Sequence, residues 1–384
     1  MVAASYPRLL EPPRGSFFLL GPRGTGKSTW AKERFPRAER FDLLDEALYQ
    51  ELLADPGQFA DRLRTRPRGS WVWVDEVQRL PGLLNEVHRF IEERRLRFVL
   101  TGSSARKLRR SGVNLLGGRA LSRALHPFVP EELGADFDLA RALRFGTLPL
   151  VQMADDPAET LEAYVQTYLR QEIQVEALVR NLPGFARFLP VAALFHGQTL
   201  NISSRARDAG VARTTIEGYL EILDETLLAF RLPAWEARLR VRERRHPKLY
   251  WVDAGIVRAA RRTLGVPTAE ERGALLEGMV AVLLRAYDSY RGLYDDLAYW
   301  SPAETVKTEV DFLLRRGRRF VALEVKTSAR ADGESLRGLR AIAGLAGLER
   351  RILVHLGRAQ RRTEDGIDVL PFADFAAALA SGQI

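Results

Sequence analysis

Residues Gly21-Pro22-Arg23-Gly24-Thr25-Gly26-Lys27-Ser28 form a complete G-x-x-x-x-G-K-S loop, and nothing else in the chain restricts its fold as strongly. The apolar run Phe17-Phe18-Leu19-Leu20 before it predicts a strand, and Thr29–Arg34 after it predicts a helix. A strand, a glycine-rich turn and a helix in that order commit this part of the chain to an α/β sheet. Gly21, Gly24 and Gly26 let backbone N–H groups close around phosphates, and Thr25 and Thr29 are expected to contact the nucleotide. Lys27 reaches the β- and γ-phosphates, the helix N-terminus adds its positive dipole end, and Ser28 is placed to hold Mg²⁺. A glycine turn without a ligand is the competing reading.

Trp71-Val72-Trp73-Val74-Asp75-Glu76 is the second nucleotide signature. The strand delivers Asp75 to its C-terminal end, where it binds Mg²⁺ through water, and Glu76 polarises the attacking water. The alternative for this pair is a helix N-cap with an acidic first turn. A third strand, Arg97 to Thr101, ends in Gly102-Ser103-Ser104, and Ser103 is expected beside the γ-phosphate because ligands collect at strand C-termini in open α/β sheets. Leu83 to Glu93 predicts an intervening helix, so the sheet should be parallel.

These residues resemble a known family. Asp75-Glu76-Val77-Gln78-Arg79-Leu80-Pro81, Thr101-Gly102-Ser103-Ser104 and Leu116-Gly117-Gly118-Arg119 look like a bacterial and archaeal AAA-type ATPase family with a C-terminal restriction-endonuclease-like domain. Further matches are Phe145-Gly146-Thr147-Leu148-Pro149, Tyr164 with Tyr168-Leu169-Arg170, and Lys248-Leu249-Tyr250-Trp251-Val252-Asp253. The resemblance implies ATP as the nucleotide and self-association into a ring, with a hexamer as one option. It also implies an arginine contributed by a neighbouring subunit, for which Arg119 is the candidate; a solvated or phosphate-contacting side chain is its alternative.

Composition narrows the partners. A chain of 384 residues with 46% hydrophobic content has room for roughly two to three domains. It contains no cysteine, which excludes disulfides and thiolate metal sites. No apolar run approaches a membrane span and the first ten residues lack a signal pattern, so a cytoplasmic protein without a membrane partner is expected. Net charge is +9, which favours a polyanion such as DNA. Only six of the 58 basic residues are lysine. Lys27 and Lys326 both stand in motifs that demand a compact ammonium rather than a guanidinium fork.

Between Leu200 and Leu223 the pattern predicts two short helices around Gly210, with Ile216, Tyr219, Leu220 and Leu223 facing inward. Arg213, Thr214 and Thr215 then stand at the N-terminus of the second helix, where helix-turn-helix proteins contact DNA. An ordinary helical hairpin remains the alternative. In Arg238-Leu239-Arg240-Val241-Arg242-Glu243-Arg244 the four arginines share one face of a strand, which suggests a β-wing on a phosphate backbone. A solvated edge strand would tolerate them equally.

The last third carries a carboxylate constellation. Glu277 lies in a helical run from Ala274 to Arg285, and Glu309 to Leu314 and Phe320 to Lys326 read as paired strands. With Gly317-Arg318 as a two-residue type II′ turn, Arg316 pairs with Arg319 and Asp311 falls opposite Glu324. With Cβ atoms about 5 Å apart on one face, the two carboxylates require a cation or proton between them. Lys326 shares their face, and Glu277 could supply a third oxygen. Oxygen donors suit Mg²⁺ or Mn²⁺, and a metal-activated water beside an ammonium suits phosphodiester hydrolysis. The spacing resembles the Asp…Glu-x-Lys core of restriction-like nucleases, although Val310 replaces the proline often found before the aspartate. A cross-strand salt-bridge pattern, or a nuclease-like domain that only binds DNA, is the alternative.

The expected architecture is therefore α/β throughout. It comprises an AAA-type P-loop domain with a helical extension (1–190), a winged-helix domain (191–262) and a restriction-endonuclease-like domain (263–384). The expected function is ATP-driven action on DNA, branched or processed DNA included, with a C-terminal domain that cuts or binds it using a divalent metal; the alternatives are a nucleotide-switched DNA-binding regulator or scaffold, and an ATPase that remodels protein partners.

Overall fold

The structure, a computed structural model, describes residues 6–104, 116–168, 182–201, 212–236, 245–302, 308–330 and 332–384. The chain divides into two compact units. One comprises Met1–Phe128, Leu148–Met153 and Glu225–Leu228; the other comprises Val129–Thr147, Ala154–Asp224 and Ala229–Ile384.

The first unit is built on five strands: β1 (Phe17–Leu20), β2 (Glu39–Asp42), β3 (Trp71–Asp75), β4 (Arg97–Gly102) and β5 (Leu121–Ala124). They run parallel in the order β2-β3-β4-β1-β5. A parallel sheet covered on both faces needs strands that are apolar throughout, which is how β1 and β3 read. The core includes Phe18, Phe41, Val72, Val74, Phe98 and Leu100 from the strands. Helix Leu83–Arg94 buries Leu83, Leu84, Val87 and Phe90 on one stripe. Because β4 is inserted between β1 and β3, its tip separates the P-loop from Asp75.

The second unit holds two sheets. Strands β6 (Gln198–Thr199), β7 (Ala229–Leu232) and β8 (Lys248–Trp251) form an antiparallel sheet in the order β6-β8-β7. Strands β9 (Asp296–Trp300), β10 (Val310–Arg316), β11 (Arg319–Lys326), β12 (Leu348–His355), β13 (Arg361–Arg362) and β14 (Asp368–Pro371) form a mixed sheet in the order β13-β14-β12-β11-β10-β9. Helix Ala269–Arg291 opens with a capping box, Thr268 with Glu271, and is longer at both ends than its apolar pattern predicted. Helix Arg213–Glu225 begins where expected and buries Ile216, Leu220 and Leu223, while Tyr219 packs half-buried on Phe185 and Phe188. The predicted first helix of that pair falls mainly on residues 202–211, and the arginine strand on 237–244. Both lie outside the described residues.

The β10–β11 hairpin has the predicted register: Phe312 pairs with Leu323 and Arg316 with Arg319. Gly317 has φ 61° whereas Arg318 is not among the positive-φ residues, which is the type II′ pattern. No helix among the described residues is long and apolar enough to cross a membrane.

Candidate functional site

Two clusters of polar side chains stand out, one in each unit. In the first, the P-loop leaves β1 and turns through Gly24 (φ 84°) and Gly26 (φ 81°), conformations that favour glycine. Gly26 caps the helix that begins at Lys27. A Cβ on Gly21 would come within 2.4 Å of the Leu125 carbonyl oxygen, so the loop packs against the end of β5 only as glycine. Thr25 is buried, and its hydroxyl braces the turn by donating to the Pro22 carbonyl at 2.8 Å. Lys27 curls into the loop, donating to the Gly21 and Pro22 carbonyls at 2.8 and 3.1 Å. Ser28 is half-buried and Thr29 exposed at the start of the helix.

Leu20 pairs with Gly102, and Val74 with Leu100, so Gly21, Ser103 and Asp75–Glu76 line up along one edge of the sheet. Asp75 is buried; one oxygen accepts the Thr101 hydroxyl at 2.5 Å, and the other lies 3.6 Å from the Arg40 guanidinium. Glu76 has a left-handed backbone (φ 55°), uncommon for a residue with a Cβ and a form of strain found where function demands it. Its carboxylate accepts from Gln78 Nε2 and, at 3.4 Å, from the Ser103 hydroxyl. Gln78 Nε2 also donates to Ser103 Oγ at 3.2 Å. Gln78 reaches this position because residue 102 is glycine: a Cβ there would meet Gln78 Oε1 at 2.4 Å.

Sequence reasoning passed over Gln78 and Arg40 as site residues, and also Arg8, which donates to the Thr25 carbonyl at 2.9 Å and steadies the loop from outside the motif. Arg119 is exposed, ion-paired with Glu92, and precedes β5. It therefore lies at the opposite end of the sheet from the P-loop of its own chain, roughly 13 Å along a four-residue strand.

The second cluster is assembled from four segments. Lys248 on β8 is buried, and its ammonium donates to Glu277 at 2.8 Å and to Glu309, with Asp311 at 3.5 Å. Oxygens of Glu277, Glu309 and Asp311 lie within 4.8 Å of one another. Tyr250, two residues after Lys248 and so on the same face of β8, donates its hydroxyl to Glu277. On β11, Lys326 donates to Glu324 Oε1 at 2.5 Å, while Glu324 Oε2 is buried without a hydrogen-bond partner. Asp311 stands between Lys248 and β11, accepting the Val325 N–H at 2.8 Å. The β9–β10 register shifts between Val310 and Leu313, an irregularity of the kind that re-aims side chains beside a site.

Burial pushes Glu277 up to about 7, aided by the Asp311 carboxylate and opposed by Lys248. Burial and Asp311 likewise hold Glu324 well above the ordinary carboxylate range. Burial works against the charge on Lys248, yet the groups around it, Glu277 foremost, raise it well above an ordinary lysine. The donor set is hard oxygen, and the orphaned oxygen of Glu324 beside Asp311 is what a divalent cation would satisfy. The residues present fit Mg²⁺ or Mn²⁺.

The structure thus brings together Glu277, Asp311, Glu324 and Lys326, as the spacing suggested, and adds Glu309, Lys248 and Tyr250. None of the three was read as a site residue, and for two of them a weak signal exists in the sequence. Glu309 shares a strand face with Asp311 at i, i+2, and Lys248 is one of only six lysines. Arg213 and Thr214 are exposed at their helix N-terminus and Thr215 partly so; Arg213 donates to Glu217 at 2.8 Å. Arg238, Arg240, Arg242 and Arg244 lie outside the described residues.

Residues 14–134 match the family described as an AAA domain, and 136–269 and 272–375 match two domains of unknown function (DUF8612 and DUF4143). An uncharacterised protein of Mycobacterium tuberculosis is 28% identical over 367 residues, covering 92% of this chain and 79% of its own length. A Mycobacterium bovis protein matches to the same extent. Among solved structures, a Vibrio cholerae protein aligns over 96% of this chain and 97% of its own, at 15% identity and a TM-score of 0.26. The Aeropyrum pernix ORC1 protein in complex with DNA aligns over 66% of this chain and 87% of its own, at 15% identity and a TM-score of 0.28. Superpositions that loose transfer neither fold nor function. Residues 14–134, which carry the P-loop and all five strands of the first unit's sheet, are thus similar to an AAA domain.

Proposed function

We propose that this chain is a DNA-directed AAA-type ATPase whose C-terminal sheet cuts or grips DNA with a divalent metal. The observation that carries the reading is the row of Lys27, Ser103 and Asp75–Glu76 along one sheet edge. Lys27 exchanges its carbonyl partners for the β- and γ-phosphates of ATP, and Ser28 and Asp75 would hold Mg²⁺, which neutralises charge on the transferring group. Glu76 orients the attacking water and takes its proton. Arg119 would act in a neighbouring subunit's site within a ring, since it stands at the wrong end of its own sheet.

The three-part division at 190 and 262 is kept as part of this proposal. Exposed Arg213 and Thr214, the Arg238–Arg244 segment and the net charge of +9 favour DNA as the partner. In the C-terminal sheet, Asp311 and Glu324 would hold Mg²⁺ or Mn²⁺, which lowers the pKa of a bound water, while Glu277, expected from the sequence as a third donor, is engaged by Lys248 and Tyr250. Lys326 would orient that water. A second reading, a nucleotide-switched DNA-binding regulator without cleavage, is favoured by one observation: Lys248 already neutralises the carboxylates that a nuclease would offer to metal.

The decisive experiment measures ATP turnover and DNA integrity over single-stranded, duplex, forked and four-way DNA, with and without Mn²⁺. DNA-stimulated turnover is expected. Cleavage lost in Asp311→Ala, Glu324→Ala and Lys326→Ala supports the first reading, and intact DNA with stimulated turnover supports the second. Turnover indifferent to every DNA overturns both.

A further inference from the structure

The second cluster is divided by Asp311 into unlike halves. On the inner side Lys248, a residue only 2% exposed, places its ammonium among Glu277, Glu309 and Asp311, the three groups whose oxygens converge within 4.8 Å. An ammonium there supplies the charge, and occupies the position, that a cation coordinated by those oxygens would have. On the outer side Glu324 is 5% exposed, with one oxygen taken by Lys326 and the other without a partner. When all four are ionised, four carboxylates face two ammoniums, an excess of two negative charges that one divalent ion cancels.

We infer that Lys248 is a built-in cation filling the inner half, so that the cluster accepts a single divalent ion, held between Asp311 and Glu324. This rests on the metal reading given above. It also assigns β8 a task in the site: a strand of the small sheet fixes the charge of carboxylates carried by a helix and by the larger sheet. Tyr250 adds to the same end by holding Glu277 toward Lys248. Metal pairs in two-ion sites sit about 3.5–4 Å apart and share carboxylates. An ammonium already in contact with Asp311 and Glu277 forbids that arrangement.

The test counts Mn²⁺ ions bound by the full chain without nucleotide, from the electron paramagnetic resonance signal of free Mn²⁺. Asp311→Asn in each background subtracts ions bound elsewhere. The wild type should bind one Asp311-dependent ion and Lys248→Met two, with a larger Mn²⁺-induced rise in melting temperature for Lys248→Met. Glu324→Gln should lose the ion and Glu309→Gln should keep it. An unchanged count in Lys248→Met, two ions in the wild type, or loss of the ion in Glu309→Gln would each overturn the inference. A wild type that binds none while Lys248→Met gains one would defeat the metal reading but leave Lys248 as the resident cation. None in either defeats both. Should Lys248→Met fail to fold, the contrast between Glu309→Gln and Glu324→Gln decides.

Discussion

Lys27 and Lys248 are both buried ammoniums, and their surroundings differ in kind. Lys27 donates to the neutral carbonyls of Gly21 and Pro22, bonds that an anionic ligand can replace at a gain. Lys248 meets the carboxylates of Glu277, Glu309 and Asp311, which are part of the protein. The first lysine is poised to bind an exchangeable anion; the second has its anions fixed by the fold. On the proposed reading, one serves turnover and the other stability.

The sharpest way to break this contrast is to delete each ammonium. In metal-free buffer at pH 8, Lys248→Ala strands three carboxylates and should lower unfolding free energy by about 3–5 kcal/mol in urea titrations. Lys27→Ala should cost about 1 kcal/mol, the net value of its hydrogen bonds. Its turnover of ATP should fall roughly 10²–10³-fold, as when an electrostatic donor is removed from a transition state. Equal stability losses would erase the distinction.

The next effect concerns the wall behind Lys248. His196 is buried, accepts the Trp251 N–H on Nδ1 at 3.1 Å, and is lowered by burial to about 4. Its folded pKa lies below the unfolded value of about 6.5, so the stability it contributes is complete above that pH and is lost as pH falls through 4. The wild type should lose about 2–3 kcal/mol more than His196→Gln between pH 7 and pH 4.5, measured by urea unfolding at both pH values. A pH-independent difference would show that His196 does not titrate on unfolding.

The smallest effect lies in the first unit. Gln78→Ala frees the Glu76 carboxylate from one of its donors. It should lower kcat roughly tenfold, about 1.4 kcal/mol, with KM for ATP nearly unchanged. A change confined to KM would instead assign Gln78 to nucleotide binding.

What the sequence revealed follows the range of the forces involved. The P-loop is contiguous, and its glycines are required by local backbone angles, so residues 21–28 could be read directly. The β10–β11 register, which brings Asp311 and Glu324 to neighbouring strands, was equally legible, because a two-residue turn with glycine first admits one register. Lys248 was not: it reaches Asp311 from 63 residues away through a separate sheet, and no local periodicity records that approach. Gln78 was hidden for a similar reason. Its role depends on β4 being inserted beside β3 and on residue 102 lacking a side chain, both of them matters of tertiary packing.

The turn at Gly317–Arg318 has a consequence for how this chain can vary. Hairpin tips at a surface ordinarily absorb an inserted residue without harm. Here one extra residue re-registering β11 against β10 would turn Glu324 and Lys326 to the opposite face from Asp311, since side chains alternate along a strand. The tip lies about 17 Å along β10 from Asp311 and touches none of the cluster, yet its length sets the reading frame in which that cluster is spelled.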